Sequence, residues 1–584
     1  MRRIRASVVV VGMVCASALA VGLGPADAKL QQAEPSKVLQ RHEVDVQILA
    51  LNDFHGNLEP PTGSSGRVGP SGTPEYGGAE YIASHVRALE QTNRNTIMVS
   101  AGDLIGASPL LSALFHDEPT IEAMNYIGLD LNAVGNHEFD EGTTELLRMQ
   151  RGGCHPVDGC LDGDGFGGAS FKFLAANVVN ETTRRTLFPP FSIQNFNGAK
   201  VAFIGMTLEG TPTIVSPSGV AGFDFLDEAD TVNALVPELN RRGVNAIVVL
   251  VHEGGLPTAL TPNGCAGVSE PISGIVNRLD PAVDLVISGH THQPYNCVIN
   301  DIPVTSAYSF GRLLTDIDMR VNRRTGHVTS VSVNNLLMDR TAVPKDPTVT
   351  ALIDRYKAVA GPIANRPVGT ITADLTRTND PDGSREWTLG SVIADAQLAA
   401  TDGPGEGAAV ISLMNPGGIR ADMLYASSPA GEGNGVVTYG EVFTVQPFGN
   451  SMVTMTLTGA QIEQTLEQQF CGVSSSGTTL AERVLQVSAT LGYTWDLSLG
   501  LTADPGCTLD VVSGITINGN PLVAGNSYRV TVNSFLADGG DGFYALIGGT
   551  DRLGGAVDTD AFEDYFAVAS PVAPPALDRI DVVP

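Results

Sequence analysis

The sequence predicts an α/β protein of two domains joined by a helix, and three observations carry that prediction. From about Val44 to Asn335, apolar β-rich runs repeatedly stop at polar, glycine-containing loops that often lead into helical stretches. The same grammar resumes with different motifs from Val368 to about Tyr565. The chain has 584 residues, more than one hydrophobic core usually organises.

Taken in order, the chain opens like an export signal. Arg2, Arg3 and Arg5 give a basic start, Val8 to Leu23 an apolar run, and Ala26-Asp27-Ala28 a small-x-small cleavage site. Residues 1–28 are therefore expected to be a signal peptide, with a secreted, extracellular or cell-envelope destination. The first domain is expected over 44–340, a linker helix over 341–367 and the second domain over 368–570. In the linker, Leu352, Tyr356 and Val359 fall on one helical face, closed by Gly361-Pro362. Thr62 to Gly72 and Ser474 to Gly477 read as flexible loops. No stretch of the mature chain is long and apolar enough to span a bilayer. Oligomeric state is not legible.

The formal charge is −29. A surface that acidic repels polyanions, so long nucleic acid is a poor substrate, whereas a small anion can still enter a cleft holding metal ions. Without Cys15 in the leader, six cysteines remain, an even number that favours disulfides in an oxidising compartment. Six cysteines allow 15 connectivities. The local solution pairs Cys154 with Cys160, Cys265 with Cys297 and Cys471 with Cys507.

Five apolar runs of the first half end in metal-competent side chains. They deliver Asp53 and His55, then Gly102-Asp103, then Gly135-Asn136-His137-Glu138-Phe139-Asp140, then His252-Glu253, and finally Gly289-His290-Thr291-His292. Loops at the carboxyl ends of α/β strands gather where ligands bind, so all five can face one cleft. Carboxylate, imidazole and amide oxygen suit zinc, manganese or a similar divalent ion, and the lack of thiolate argues against a closed structural zinc site. One such motif alone is more often structural. Five, each after an apolar strand, are not coincidence. His85 and His116 lie outside any motif, on expected helix faces, and read as ordinary surface groups.

These motifs resemble those of the calcineurin-like metallophosphoesterases, and their order resembles the bacterial 5'-nucleotidase/UDP-sugar hydrolase family and its animal ecto-5'-nucleotidase relatives. The resemblance implies a four-layer α/β/β/α metallophosphoesterase domain joined by a helix to a C-terminal α/β substrate-binding domain. It puts Asp53, His55 and His292 on one divalent metal, Asn136, His252 and His290 on a second, and Asp103 between them. It makes His137 and Asp140 a catalytic dyad. A protonated His held by a carboxylate can steady charge on a phosphoryl group or protonate the leaving oxygen. His292 stands where the nucleotidase family often has an amide. Glu138 and Glu253 are expected to support the metal ligands rather than join them.

The second half carries no comparable metal set. It holds Asn415-Pro416-Gly417-Gly418-Ile419-Arg420, Pro447-Phe448-Gly449-Asn450 and a stretch from Asn533 to Phe543. The resemblance implies that Phe448 and Phe535 sandwich a nucleobase, that Asp541 accepts from ribose hydroxyls, and that Asn415, Gly418 and Arg420 line the ligand. Aromatic faces stack on bases and guanidinium matches phosphate, so the chemistry agrees. Gly449 and Gly539-Gly540 suggest that both rings sit on turns. Arg385 falls about two residues from the family's phosphate-binding arginine. The expected function is removal of the 5'-phosphate from extracellular nucleotides by a two-metal hydrolase. The alternatives are a phosphodiesterase or pyrophosphatase acting on nucleotide sugars, cyclic nucleotides or nucleic-acid ends, and a cell-surface nucleotide-binding protein that has lost catalysis.

Overall fold

The computed structural model describes residues 42–69, 73–215, 217–258, 261–265, 267–377, 383–471, 483–500 and 507–584. The expected leader, the Ser474–Gly477 loop and the end of the Thr62–Gly72 loop lie outside these residues.

Two six-stranded sheets organise the first half. In one, Glu43–Leu51, Thr96–Ser100, Leu131–Ala133 and Lys172–Leu174 run parallel, and Leu313–Asn322 and Val328–Leu337 add an antiparallel edge. In the other, Ala199–Thr207, Ala246–His252, Leu285–Ser288 and Ile302–Ala307 run parallel, flanked by antiparallel Phe191–Phe196 and Pro294–Ile299.

The first strand shows why its apolar run is unbroken. Ile48 and Ala50 point between the sheets, packing with Phe203, Val248 and Ile287. Leu49 and Leu51 point the other way, into a core with Ile82 and Val86 of helix Ala79–Glu90. The second sheet buries its outer face under helices Glu228–Arg241 and Ile272–Arg278. A strand buried on both faces loses period-two alternation. The result is the four-layer α/β/β/α order.

Helix Pro347–Ala364 follows, capped by the Asp346 carboxylate, which accepts from Thr348 N and Val349 N. It runs through Gly361-Pro362 rather than closing there, because Pro362 lies in the last turn, where a lost helical hydrogen bond costs least. Its buried face is Val349, Leu352, Ile353, Tyr356 and Ala360, and Val359 is 37% exposed. The apolar stripe thus steps from Tyr356 to Ala360, an i+4 spacing, and leaves Val359 outside.

The second half has a five-stranded sheet and a four-stranded one. The five-stranded sheet centres on Ser527–Asn533, parallel to Ile411–Met414 and antiparallel to Ser451–Thr458. Trp495, Leu413, Val532 and Ile462 share one core, and helices Thr388–Ala399 and Asp558–Ala569 close another. The three disulfides are Cys154–Cys160, Cys265–Cys297 and Cys471–Cys507. Among the described residues no helix is long and apolar enough to cross a membrane.

Candidate active site

All five motif loops meet at one place, three from the first sheet and two from the second. Asp53, His55, Asp103, His290 and His292 adopt left-handed backbone with φ between 47° and 70°. Such non-glycine conformations cost on the order of 1–3 kcal/mol each, and they cluster where function fixes them. Backbone bonds between loops hold them in place: Asp53 N donates to Gly102 O, His55 N to Asp103 O and Phe310 N to Asp53 O. Close approach also needs Gly135, where a Cβ would collide with the Asp103 carboxylate.

Two groups of metal-competent side chains share Asp103. In the first, His55 Nε2 is 3.1 Å from His292 Nε2, and His292 Nε2 is 3.4 Å from Asp53 Oδ1. In the second, Asn136 Oδ1 lies 3.1 Å from His252 Nε2 and 3.0 Å from His290 Nδ1. Asp103 Oδ2 faces both, 3.6 Å from His55 Nε2 and 2.9 Å from His252 Nε2. Donor atoms about 3–3.5 Å apart are what a first-row ion with ligand bonds near ~2.1 Å requires. His292, the residue that departs from the nucleotidase pattern, therefore joins the first set.

The surroundings prepare these groups for a cation. His55 Nδ1 faces Gly106 O at 2.8 Å and His252 Nδ1 faces Ala101 O at 2.7 Å, which turns each Nε2 inward. Burial holds His55 well below its ordinary pKa and lowers His290 to about 4, leaving neutral imidazoles with free lone pairs. Burial opposes charge on His252 too, but Asp103 outweighs it and raises His252 to about 10. Asp103 stays ionised despite its burial because His252 faces it. The donor set fits divalent ions, whose binding would displace the proton that Asp103 keeps on His252.

Glu138 supports both sets without facing either. Its carboxylate accepts from Asp103 N, Leu104 N and Gly135 N at 2.7–2.9 Å, tying two ligand loops together. Burial pushes it up to about 7. Glu253 is buried and accepts from Gly254 N at 2.8 Å, and burial raises it to about 8.

His137 Nδ1 is bonded to Asp140 Oδ2 at 2.8 Å, which leaves Nε2 to the cleft. Burial disfavours its charge, yet Asp140 and then Asp103 raise its pKa. His137 also stands near His55, with ring centroids 5.0 Å apart.

Residues of both halves line one cavity of about 260 Å³. From the first half come Asn136, His137, Asp140 and His290, and from the second Asn415, Gly418, Arg420, Phe448, Phe535 and Asp541. Phe448 stacks at an offset against His137, with centroids 5.8 Å and planes 19° apart, and the Arg420 guanidinium lies 5.7 Å from the centre of the Phe448 ring. Asp541 accepts from Asn415 Nδ2 at 3.0 Å, and Asn415 Oδ1 accepts from Asn533 Nδ2 at 2.9 Å. Phe448 lies on a turn before left-handed Gly449. Phe535 instead sits on the short helix Ser534–Ala537, its ring against Gly540, where any Cβ would overlap it.

Sequence reasoning missed Arg377. It lines a second cleft of about 600 Å³ over the metal-competent cluster, with Arg420, His292 and Phe310, and donates to Ile419 O at 3.0 Å. Arg385 lines neither cavity, and its carbonyl accepts from Gln486. Arg377 lacks a neighbouring motif, and only the packing of the two halves brings it to the cleft. His85 stays on its helix, bonded to Asp339 O. His116 is in a turn rather than on a helix face, ion-paired to Glu141 and Asp158.

The chain matches the calcineurin-like phosphoesterase family over residues 46–294 and the 5'-nucleotidase C-terminal domain over residues 367–547. It is 33% identical over 545 residues to the cell wall protein Lmo0130 of Listeria monocytogenes, covering 89% of this chain and 67% of that protein. It is 31% identical over 539 residues to the endonuclease YhcR of Bacillus subtilis, covering 90% of this chain but only 40% of that protein. The crystal structure of a 5'-nucleotidase precursor from Thermus thermophilus superposes with a TM-score of 0.72 at 27% identity, covering 92% of this chain and 99% of that one. The chain belongs to the 5'-nucleotidase family, with a calcineurin-like phosphoesterase domain followed by a 5'-nucleotidase C-terminal domain, and it is a phosphoester hydrolase.

Proposed function

We propose that this hydrolase removes the 5'-phosphate from nucleotides outside the cell, yielding nucleoside and phosphate. The observation that carries the reading is the shared cavity: the dyad and metal-competent residues form one wall, and two aromatic rings, an amide and a carboxylate form the other. In this reading Asp53, His55 and His292 hold one divalent ion, Asn136, His252 and His290 a second, and Asp103 both. The ions would supply Lewis acidity toward the phosphoryl group.

The chain's own residues do the rest. Phe448 and Phe535 stack on the base, and Asp541, kept in place by Asn415, accepts from the ribose diol. Arg420 lies beside the phosphate and balances its charge. His137, aligned by Asp140, donates through Nε2 to a phosphoryl oxygen or to the departing 5'-oxygen. Domain borders at 340/341 and 367/368, cleavage after Ala28 and export belong to the same proposal, which the three disulfides support.

A second reading, hydrolysis of a diester, is favoured by one feature. The cleft of about 600 Å³ beyond the cluster carries Arg377 and Phe310 and has room for a group esterified to the same phosphate. Phosphate release from a nucleoside 5'-monophosphate, set against ribose 5-phosphate, tests the first reading, and analysis of the monoester freed from a nucleotide diester tests the second. The first reading requires preference for the monophosphate that bears a base. Equal rates with ribose 5-phosphate would overturn it.

A further inference from the structure

A second cluster of metal-competent side chains stands behind the dyad, away from the cavity. Three chain segments build it: the turn carrying His116, the start of helix Gly142–Arg151 carrying Glu141, and the loop that Cys154–Cys160 closes around His155 and Asp158. His116 Nε2 is 3.0 Å and His155 Nδ1 is 3.2 Å from the same oxygen, Asp158 Oδ2. His155 Nδ1 also accepts from Asp158 N at 3.2 Å, so toward Asp158 Oδ2 it stands as one acceptor beside another. His116 Nδ1 is bonded to Glu141 Oε2 at 2.7 Å.

We propose that His116, His155 and Asp158 bind a divalent first-row cation such as zinc, with Glu141 orienting His116. The arrangement is the one metal sites use. A ligating imidazole gives its other N–H to a carboxylate, which fixes the tautomer and raises ligand basicity. Two imidazoles and one carboxylate, with water completing the shell, form an open zinc-type donor set. Charge agrees, because Glu141 and Asp158 supply two carboxylates whose charge a dication cancels. The two rings stack 3.8 Å apart at 19°, which keeps a nitrogen of each beside Asp158 Oδ2. The disulfide restricts the loop to a tight hairpin, in which His155 bridges to Gly159. Because Glu141 directly follows Asp140, an ion held here would also brace the turn that carries the dyad.

Equilibrium dialysis of the whole protein against Zn²⁺ at neutral pH tests this, comparing the parent with His155→Ala and Asp158→Asn. Each variant should bind one equivalent fewer than the parent, and Glu141→Gln should keep the site with affinity lowered roughly ten- to a hundred-fold. Equal stoichiometry in parent and both loop variants would overturn the site. Because the readout is a difference, it holds whether the central cluster takes two ions or none, so its failure and that of the proposed function are separable.

Discussion

Phe448→Ala separates a nucleotidase from a general phosphatase. The ring lines the shared cavity, and its ring neighbours are His137 and Arg420 rather than any of the proposed metal ligands. Stacking a base on an aromatic ring is worth about 1–3 kcal/mol, so nucleotides should lose roughly five- to 150-fold in kcat/KM. A small aryl phosphate whose ring does not enter the clamp has no base to stack and should lose only the ring's support of Arg420 and His137. A cation–π contact of that kind is worth about 0.5–1 kcal/mol, or roughly five-fold at most. Steady-state kinetics on a nucleoside 5'-monophosphate and on the aryl phosphate, run side by side with parent and variant, read the difference. Equal loss on both substrates would refute the clamp and make Phe448 a packing residue.

Other positions give distinct outcomes. Asp103→Ala removes the carboxylate that faces both ligand sets and should abolish both turnover and tight metal binding, measured by phosphate release and metal content. His137→Ala should keep its metals and lose about 10²-fold or more in kcat; metal loss would move His137 into the ligand set. Glu138→Gln replaces an acceptor of three backbone N–H groups by one with a single oxygen, so stability in denaturant should fall by about 1–3 kcal/mol for each donor left unpaired. His116 has its pKa raised to about 9, burial opposing and Glu141 then Asp158 prevailing, with Glu145 adding to the field and His155 stacked beside it. A raised pKa gives stability that is full below the unfolded value near 6.5 and lost as pH rises through about 9. With chelator present, the stability advantage of the parent over His116→Gln should therefore shrink between neutral pH and pH 10, read by urea unfolding.

What the sequence made legible was local. The strand ends were readable because strands buried on both faces appear as unbroken apolar runs, and most stop at a glycine beside His, Asp or Asn, as in Gly102-Asp103 and Gly289-His290. The disulfides were readable because each cysteine pairs with the next one along the mature chain. Features created by packing were not readable. Arg377 reaches the cleft only because the two halves meet there, and His116, His155 and Glu141 come from three segments with no shared pattern. Gly361-Pro362 looked like a helix end, yet the apolar face continues through Ala360 and holds the last turn. Gly539-Gly540 suggested a turn under Phe535, whereas Gly540 instead makes room for a ring presented by a helix.

The central claim is that this fold hydrolyses 5'-nucleotides with metal ions held at Asp103. Phosphate release from a nucleoside 5'-monophosphate, followed before chelation, after it and after adding back zinc or manganese, tests that claim most directly. The account predicts activity that chelator abolishes and a divalent ion restores in the parent, and no restoration in Asp103→Ala. Undiminished release in thoroughly chelated protein, or full restoration in Asp103→Ala, would contradict it.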